Sequence, residues 1–230
     1  RSGITNDANL NGSLSVIAYS KIRSFASGTS GAYIRIIGCL IDKKQVAGNG
    51  VSISGTNANI VLANCRVGST FNGSGVYIAN STVSGVIINN YIKGDNMSGS
   101  MRNILNPYSS RIQILNNICW AAPINVEAPF GTTMKGNVTY YNTTGSVTGG
   151  VVPTENITSD PMYNLASNAL LPGSPCIDGG STDSRHADRD GSRNDIGPTG
   201  GSWYDPTAWT SDVPVVVSFD LSSDQYLEGT

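Results

Sequence analysis

A short phrase recurs between about Ser15 and Tyr140, and its spacing limits what the chain can fold into. It is clearest in Val86-Ile87-Ile88-Asn89-Asn90-Tyr91-Ile92 and in Ile112-Gln113-Ile114-Leu115-Asn116-Asn117-Ile118-Cys119. Two earlier stretches, Ile34 to Ile41 and Ile60 to Val67, carry Cys39 and Cys65 where the second Asn stands, and Met134-Lys135-Gly136-Asn137-Val138-Thr139 closes the run. With Cys39, Cys65, Asn90, Asn117 and Asn137 as one column, the intervals are 26, 25, 27 and 20 residues. A recurrence of this length is the mark of stacked repeats, each too small to bury its own apolar face.

The offsets around that column define the stack. Three residues before it stand Ile36, Leu62, Ile87, Ile114 and Met134; two after it stand Ile41, Val67, Ile92, Cys119 and Thr139. Ser20 extends the register upward, with Ile17 three before it and Ile22 two after. Twelve before the column come Ile53, Ile78 and Leu105, in short alternating runs such as Val51-Ser52-Ile53. Because strand side chains alternate faces, these columns all point into one interior. The expected architecture is all-β, a parallel β-helix of about six or more coils with an irregular C-terminal cap. An inward polar side chain at a corner must find partners or cost free energy. Amides stacked one coil apart can bond to each other, as in the Asn ladders of cross-β stacks. The column is therefore expected to be a scaffold feature, with Cys39 and Cys65 as small buried substitutes.

Composition agrees and excludes several functions. Charged residues make up 13% of the 230, Gly numbers 27, and no stretch carries a convincing helical period. A net charge of −2 gives no basic stripe for nucleic acid, and no apolar run reaches spanning length. The four cysteines match no zinc spacing. Cys39 and Cys65 stack in adjacent coils, as a free pair or a bridge, and Cys119 could meet Cys176 if the tail folds back. Asn-x-Ser/Thr sequons fall at Asn11, Asn72, Asn80, Asn96, Asn137, Asn142 and Asn156.

After Asn142 a different set of residues appears. Asp160-Pro161-Met162-Tyr163 precedes Ser174-Pro175-Cys176-Ile177-Asp178-Gly179, and Asp188-Arg189-Asp190-Gly191-Ser192-Arg193-Asn194-Asp195-Ile196-Gly197 follows. This part resembles the C-terminal closing motifs of secreted bacterial right-handed parallel β-helix proteins of the pectate-lyase-like superfamily. The resemblance covers nearly all of residues 14–200, and Pro198-Thr199-Gly200-Gly201 departs from the usual continuation. It implies a large cell-surface or secreted protein, with Trp203 to Thr230 as a linker and the first strand of a further module. Residues 1–200 are thus read as the β-helix with its closing motif, and 201–230 as linker and strand. The first coil follows Arg1 almost at once, with no signal peptide ahead of it. The expectation is a segment of a longer, processed polypeptide, or a boundary chosen in the laboratory.

The chemistry is less marked than the scaffold. Asp188, Asp190 and Asp195 could converge on Ca2+, since carboxylates at alternate positions suit a hard cation. The competing reading is that Asp178, Asp190 and Asp195 cap exposed backbone amides, and it is favoured; otherwise no cofactor is expected. A glycosidase needs two flanking carboxylates. The strings of the polygalacturonase branch are missing, and His186 is the only His. A lyase would need an Arg or Lys base beside carboxylates; Lys93, Asp95, Arg102, Arg111 and Glu127 are candidates, scattered singly through turns and read mainly as solvated surface. One outward stripe stands out: Arg66 and Tyr91 one step after the column, and Lys93, Trp120 and Tyr140 three steps after. Stacked, these would offer a glycan or a protein partner, including another copy of the chain, an aromatic and basic face, unless a loop, a subunit or the tail covers it. The expected function is a structural or adhesive extracellular module, with a polysaccharide lyase as the alternative.

Overall fold

The computed structural model describes residues 8–9, 14–42, 48–68, 73–94, 101–140 and 145–204. Three parallel sheets, one of seven strands and two of six, run side by side along the molecule. Each coil contributes one strand to sheet A, then one to sheet B, then one to sheet C, so neighbours in every sheet are a full coil apart in sequence. The fold is a parallel β-solenoid, nearly all β, with one short 3-10 turn at Ser184–His186 among the described residues.

The expected register holds in sheet B. Ile17, Ile36, Leu62, Ile87, Ile114 and Met134 are direct Cα partners in succession, and the last five are buried in one continuous core. Ile22, Ile41, Val67, Ile92, Cys119 and Thr139 pair likewise in sheet C. In sheet A the register slips at one coil. Leu105 pairs with Tyr77 and is half-buried, whereas Ile104 pairs with Val76 and fills the core. The A-to-B turn there is one residue shorter, and buried Asn106 closes it by accepting from the Ser109 N–H at 3.2 Å and donating to the Ser109 carbonyl at 2.7 Å.

The interior Asn column is a hydrogen-bonded ladder. The backbone N–H of Cys39 donates to Cys65 Sγ (3.3 Å), that of Cys65 to Asn90 Oδ1 (2.9 Å), that of Asn90 to Asn117 Oδ1 (3.0 Å) and that of Asn117 to Asn137 Oδ1 (2.8 Å). The amide Nδ2 groups of Asn90 and Asn117 donate to the next Oδ1 at 2.9 and 3.0 Å and to corner carbonyls. The ladder runs one coil further than expected, since the Asn137 N–H donates to Asn156 Oδ1 at 3.0 Å. The sequons at Asn137 and Asn156 are therefore spent inside the scaffold, Asn80 sits on an A-to-B turn, and those at Asn11, Asn72, Asn96 and Asn142 lie outside the described residues. A second, shorter ladder at the C-to-A corner joins Asn103 Nδ2 to Asn125 Oδ1 at 2.8 Å.

All four cysteines are free and buried. Burial raises the Cys65 thiol pKa. Cys119 lies in the interior core, while Cys176 packs on the outer face of sheet C with Tyr91, Ile118 and Val138. The two sit on opposite faces of one sheet, which removes the possibility that they pair.

Candidate functional site: the outer face of sheet C and the strap across it

The residue before each ladder position turns the chain from sheet B into sheet C, and it does so in the left-handed region. Tyr19, Gly38, Asn64, Asn89, Asn116 and Gly136 have φ of 47°, 60°, 52°, 52°, 53° and 63°. Gly and Asn tolerate that conformation best. Gly38 is needed for a second reason: a Cβ there would lie 2.4 Å from the Tyr19 ring. The conformation aims the first Asn of each pair outward while the second faces the core.

The segment after Asp160 runs back along that corner as a strap. It leaves the last coil through the hairpin of Tyr163–Asn164 and Ala169–Leu170. It then meets successive coils in reverse order. Asn116 Oδ1 accepts the Ser181 N–H at 2.8 Å, and the Gly197 N–H donates to the Asn116 carbonyl. Asn89 Nδ2 donates to Asn194 Oδ1 and to the carbonyls of Asp195 and Gly197 at 2.9, 2.7 and 3.1 Å. Asn64 Nδ2 donates to the carbonyls of Pro198 and Gly200 at 3.1 and 2.7 Å. Tyr19, in the first described coil, donates its hydroxyl to the Trp203 carbonyl at 3.0 Å. The residues of the presumed closing motif thus lie along the side of the tube.

The motif residues hold the strap's own shape. Asp160 caps the Met162 N–H (2.8 Å), and Ser174 Oγ donates to the Pro161 carbonyl (2.6 Å). Asp195 accepts the Asp178 N–H at 2.8 Å, and Asp188 accepts from the backbone N–H groups of Asp195 and Gly201. Asp190 accepts the Ser192 N–H and hydroxyl, and the Arg193 guanidinium donates to the Gly180 carbonyl. Burial, helped by the neighbouring Asp195, pushes the Asp188 carboxyl up to about 6, and burial raises Asp195 as well. Asp183 is held at about 2 by the Arg185 side chain. Among the described residues no three His, Cys, Asp or Glu form a group that could hold a metal ion. Asp188, Asp190 and Asp195 each accept from backbone amides, as the capping reading expects.

The predicted stripe is in register and partly covered. Arg66, Tyr91 and Ile118 are successive partners on the outer face of sheet C, as are Lys93, Trp120 and Tyr140. Trp120 lies 6.1 Å from Tyr140, and Tyr91 meets Trp120 edge-on at 6.1 Å. The strap covers Tyr91. Tyr163 stacks on Tyr91 at 4.8 Å, leaving Tyr91 2% exposed, with Cys176 and Ile196 in the same cluster. Burial raises the pKa of Tyr163 and pushes that of Cys176 up to about 12. Arg66, Lys93, Trp120 and Tyr140 are half-buried, so Arg66 and the second row are the accessible part of the stripe.

Of the residues considered for lyase chemistry, the structure brings Arg102 and Glu127 together. Arg102 Nε binds Glu127 Oε2 at 2.6 Å across sheet A, Arg111 is exposed on an A-to-B turn, and Lys93 stands on sheet C. Asp95 lies outside the described residues. The strap anchors Asn64, Asn89 and Asn116 escape a reading by repeats, although the Asn-Asn dipeptide marks the corner. Neither a family model, nor a curated protein, nor a solved structure matches this chain.

Proposed function

We propose that this chain is a structural or adhesive module of a larger extracellular or cell-surface protein, similar in build to the pectate-lyase-like β-helices. The observation that carries the reading is where the polar groups are spent. The buried amides stitch coil to coil or hold the strap, and the acidic residues of the strap cap its own turns. Such a molecule is organised for rigidity, whereas a polysaccharide lyase needs a base and carboxylates gathered in one cleft. The half-buried row of Lys93, Trp120 and Tyr140 supplies a place for glycan contact, since aromatic faces stack on sugar C–H surfaces.

The test is incubation with a panel of acidic polysaccharides, with calcium present, while following the ultraviolet absorbance of unsaturated uronate ends. No product is expected across the panel. A steady rise with any member would replace the structural reading with the lyase.

A further inference from the structure

The strap protects the side of the solenoid, but among the described residues nothing closes the end formed by its last coil. Gly145–Thr148 is the terminal strand of sheet A. The chain then finishes the coil through 149–157 and bonds only upward: the Thr154 N–H donates to the Met134 carbonyl (2.9 Å) and the Ile157 N–H to the Asn137 carbonyl (2.8 Å). Among the described residues nothing pairs with the lower side of this coil. Gly149, Gly150 and Val152 through Glu155 are exposed, as are Thr158 and Ser159 where the chain departs.

Three further features mark the end as a contact surface. The Asn ladder stops unfinished, because Asn156 Nδ2 is buried and has no hydrogen-bond partner, whereas Asn90 and Asn117 each donate to an Oδ1 one coil below. Large apolar side chains cluster at its rim: Phe130 is 80% exposed and Val152 66%. The rim carries no uncompensated charge at Lys135 and Glu155, which pair at 3.2 Å. An unpaired sheet edge takes up another strand, and solenoid ends without a polar cap associate.

We propose that the last coil is a dimerisation surface, on which a second copy of this chain sets the same end, pairing edge strand against edge strand. The three-sided outline selects the partner. A single peptide could serve one sheet edge, but only another solenoid end of the same cross-section meets all three at once. Pairing like ends turns the strands antiparallel, brings the paired Lys135 and Glu155 of each copy together without net charge, and buries Phe130 and Val152 of both copies. It also closes the assembly after two chains, as a two-fold interface must. This inference goes beyond the structural reading and is independent of the polysaccharide test, because an enzyme could pair in the same way.

Sedimentation equilibrium over roughly a thousandfold span of concentration through the micromolar range is the first measurement, with the expected result a monomer–dimer equilibrium. Val152→Asp, at an exposed site that leaves the core alone, is expected to weaken the dimer at least about tenfold with unchanged circular dichroism. With the two-fold axis set at the exposed apolar corner of Val152, Val152→Cys is expected to cross-link the dimer under mild oxidation. A monomer at every concentration overturns the proposal, and so does an open series of growing masses. A dimer indifferent to Val152→Asp and not cross-linked through Val152→Cys overturns it as well, because the contact would then lie elsewhere.

Discussion

Asn89 and Asn90 are neighbours in the chain, both fully buried at one corner, and they hold different parts of the molecule together. Asn90 points inward, and its amide binds the coils directly above and below. Asn89, at φ 52°, points outward and binds the strap 105 to 108 residues further on. One backbone rotation separates a group that propagates the solenoid from one that fastens its cover. The inner amide works by repetition, since every coil offers the next the same partner. The outer one works by capture, since its partners are mainly backbone carbonyls delivered by a distant segment.

The sharpest way to break that comparison is to remove one amide of each kind. Asn117→Ala strips the acceptor from the Asn90 N–H and amide and the donor from the Ile87 carbonyl and Asn137 Oδ1, all in the interior. Asn90 Nδ2 and Asn137 Oδ1 each keep another partner, so at about 1–3 kcal/mol for each of the two groups left without one the expected loss is about 2–6 kcal/mol. It would appear as a lower urea midpoint with an unchanged slope. A loss below about 1 kcal/mol would mean that water or relaxation satisfies the corner, and that the ladder is not what holds the coils.

Asn89→Gly keeps the left-handed corner and removes only the strap contacts. The expected cost is about 1–2 kcal/mol, with faster hydrogen exchange confined to the segment after Ser174 and unchanged protection in the sheets. Asn89→Ala should cost about 1 kcal/mol more, because its Cβ disfavours that φ. Equal effects of the two variants would show that strap contacts outweigh backbone conformation at this position.

The smallest expected effect is the pH response of the strap. Asp188 has its folded pKa raised from 3.8 to about 6, first by burial. A raised carboxyl contributes stability that is full below its ordinary value and is lost as pH rises through the folded value. Asp195 shifts in the same direction. Asp183, held at about 2, contributes oppositely, and its share is lost only as pH falls from about 4 toward 2. Asp188 and Asp195 therefore hold the strap more firmly at about pH 5 than at about pH 7, seen as slower exchange in residues 188–201 after correction for the intrinsic rate, while buried His186, its pKa lowered, acts oppositely over the same window. Asp188→Asn should flatten most of that change while leaving the Asn117 ladder protected.

Much of the fold is legible before any coordinates are known, and particular residues show why. Ile36, Leu62, Ile87, Ile114 and Met134 repeat at one offset from the ladder column, and they stack because each coil must place its apolar strand on the one before. Leu105 is the exception: a turn shortened by one residue transfers the interior position to Ile104, and counting back from Asn117 cannot detect it. The candidate surface is legible only in part. Its register follows from the repeat, so Trp120 and Tyr140 are neighbours as expected. The burial of Tyr91 depends on Tyr163, which belongs to no repeat.

The chain's own order of residues determined the period, the interior columns and the place of the amide ladder, because stacked coils bring equivalent positions into contact at a fixed rise. Only the tertiary structure decided that the segment after Asp160 climbs the B-to-C corner and covers Tyr91 in the aromatic stripe, with no described residue paired below the last coil. The physical reason is that Asn64 and Asn89 grip the backbone carbonyls of Pro198, Gly200, Asp195 and Gly197. Every residue owns such a carbonyl, so no side-chain pattern announces which will be used.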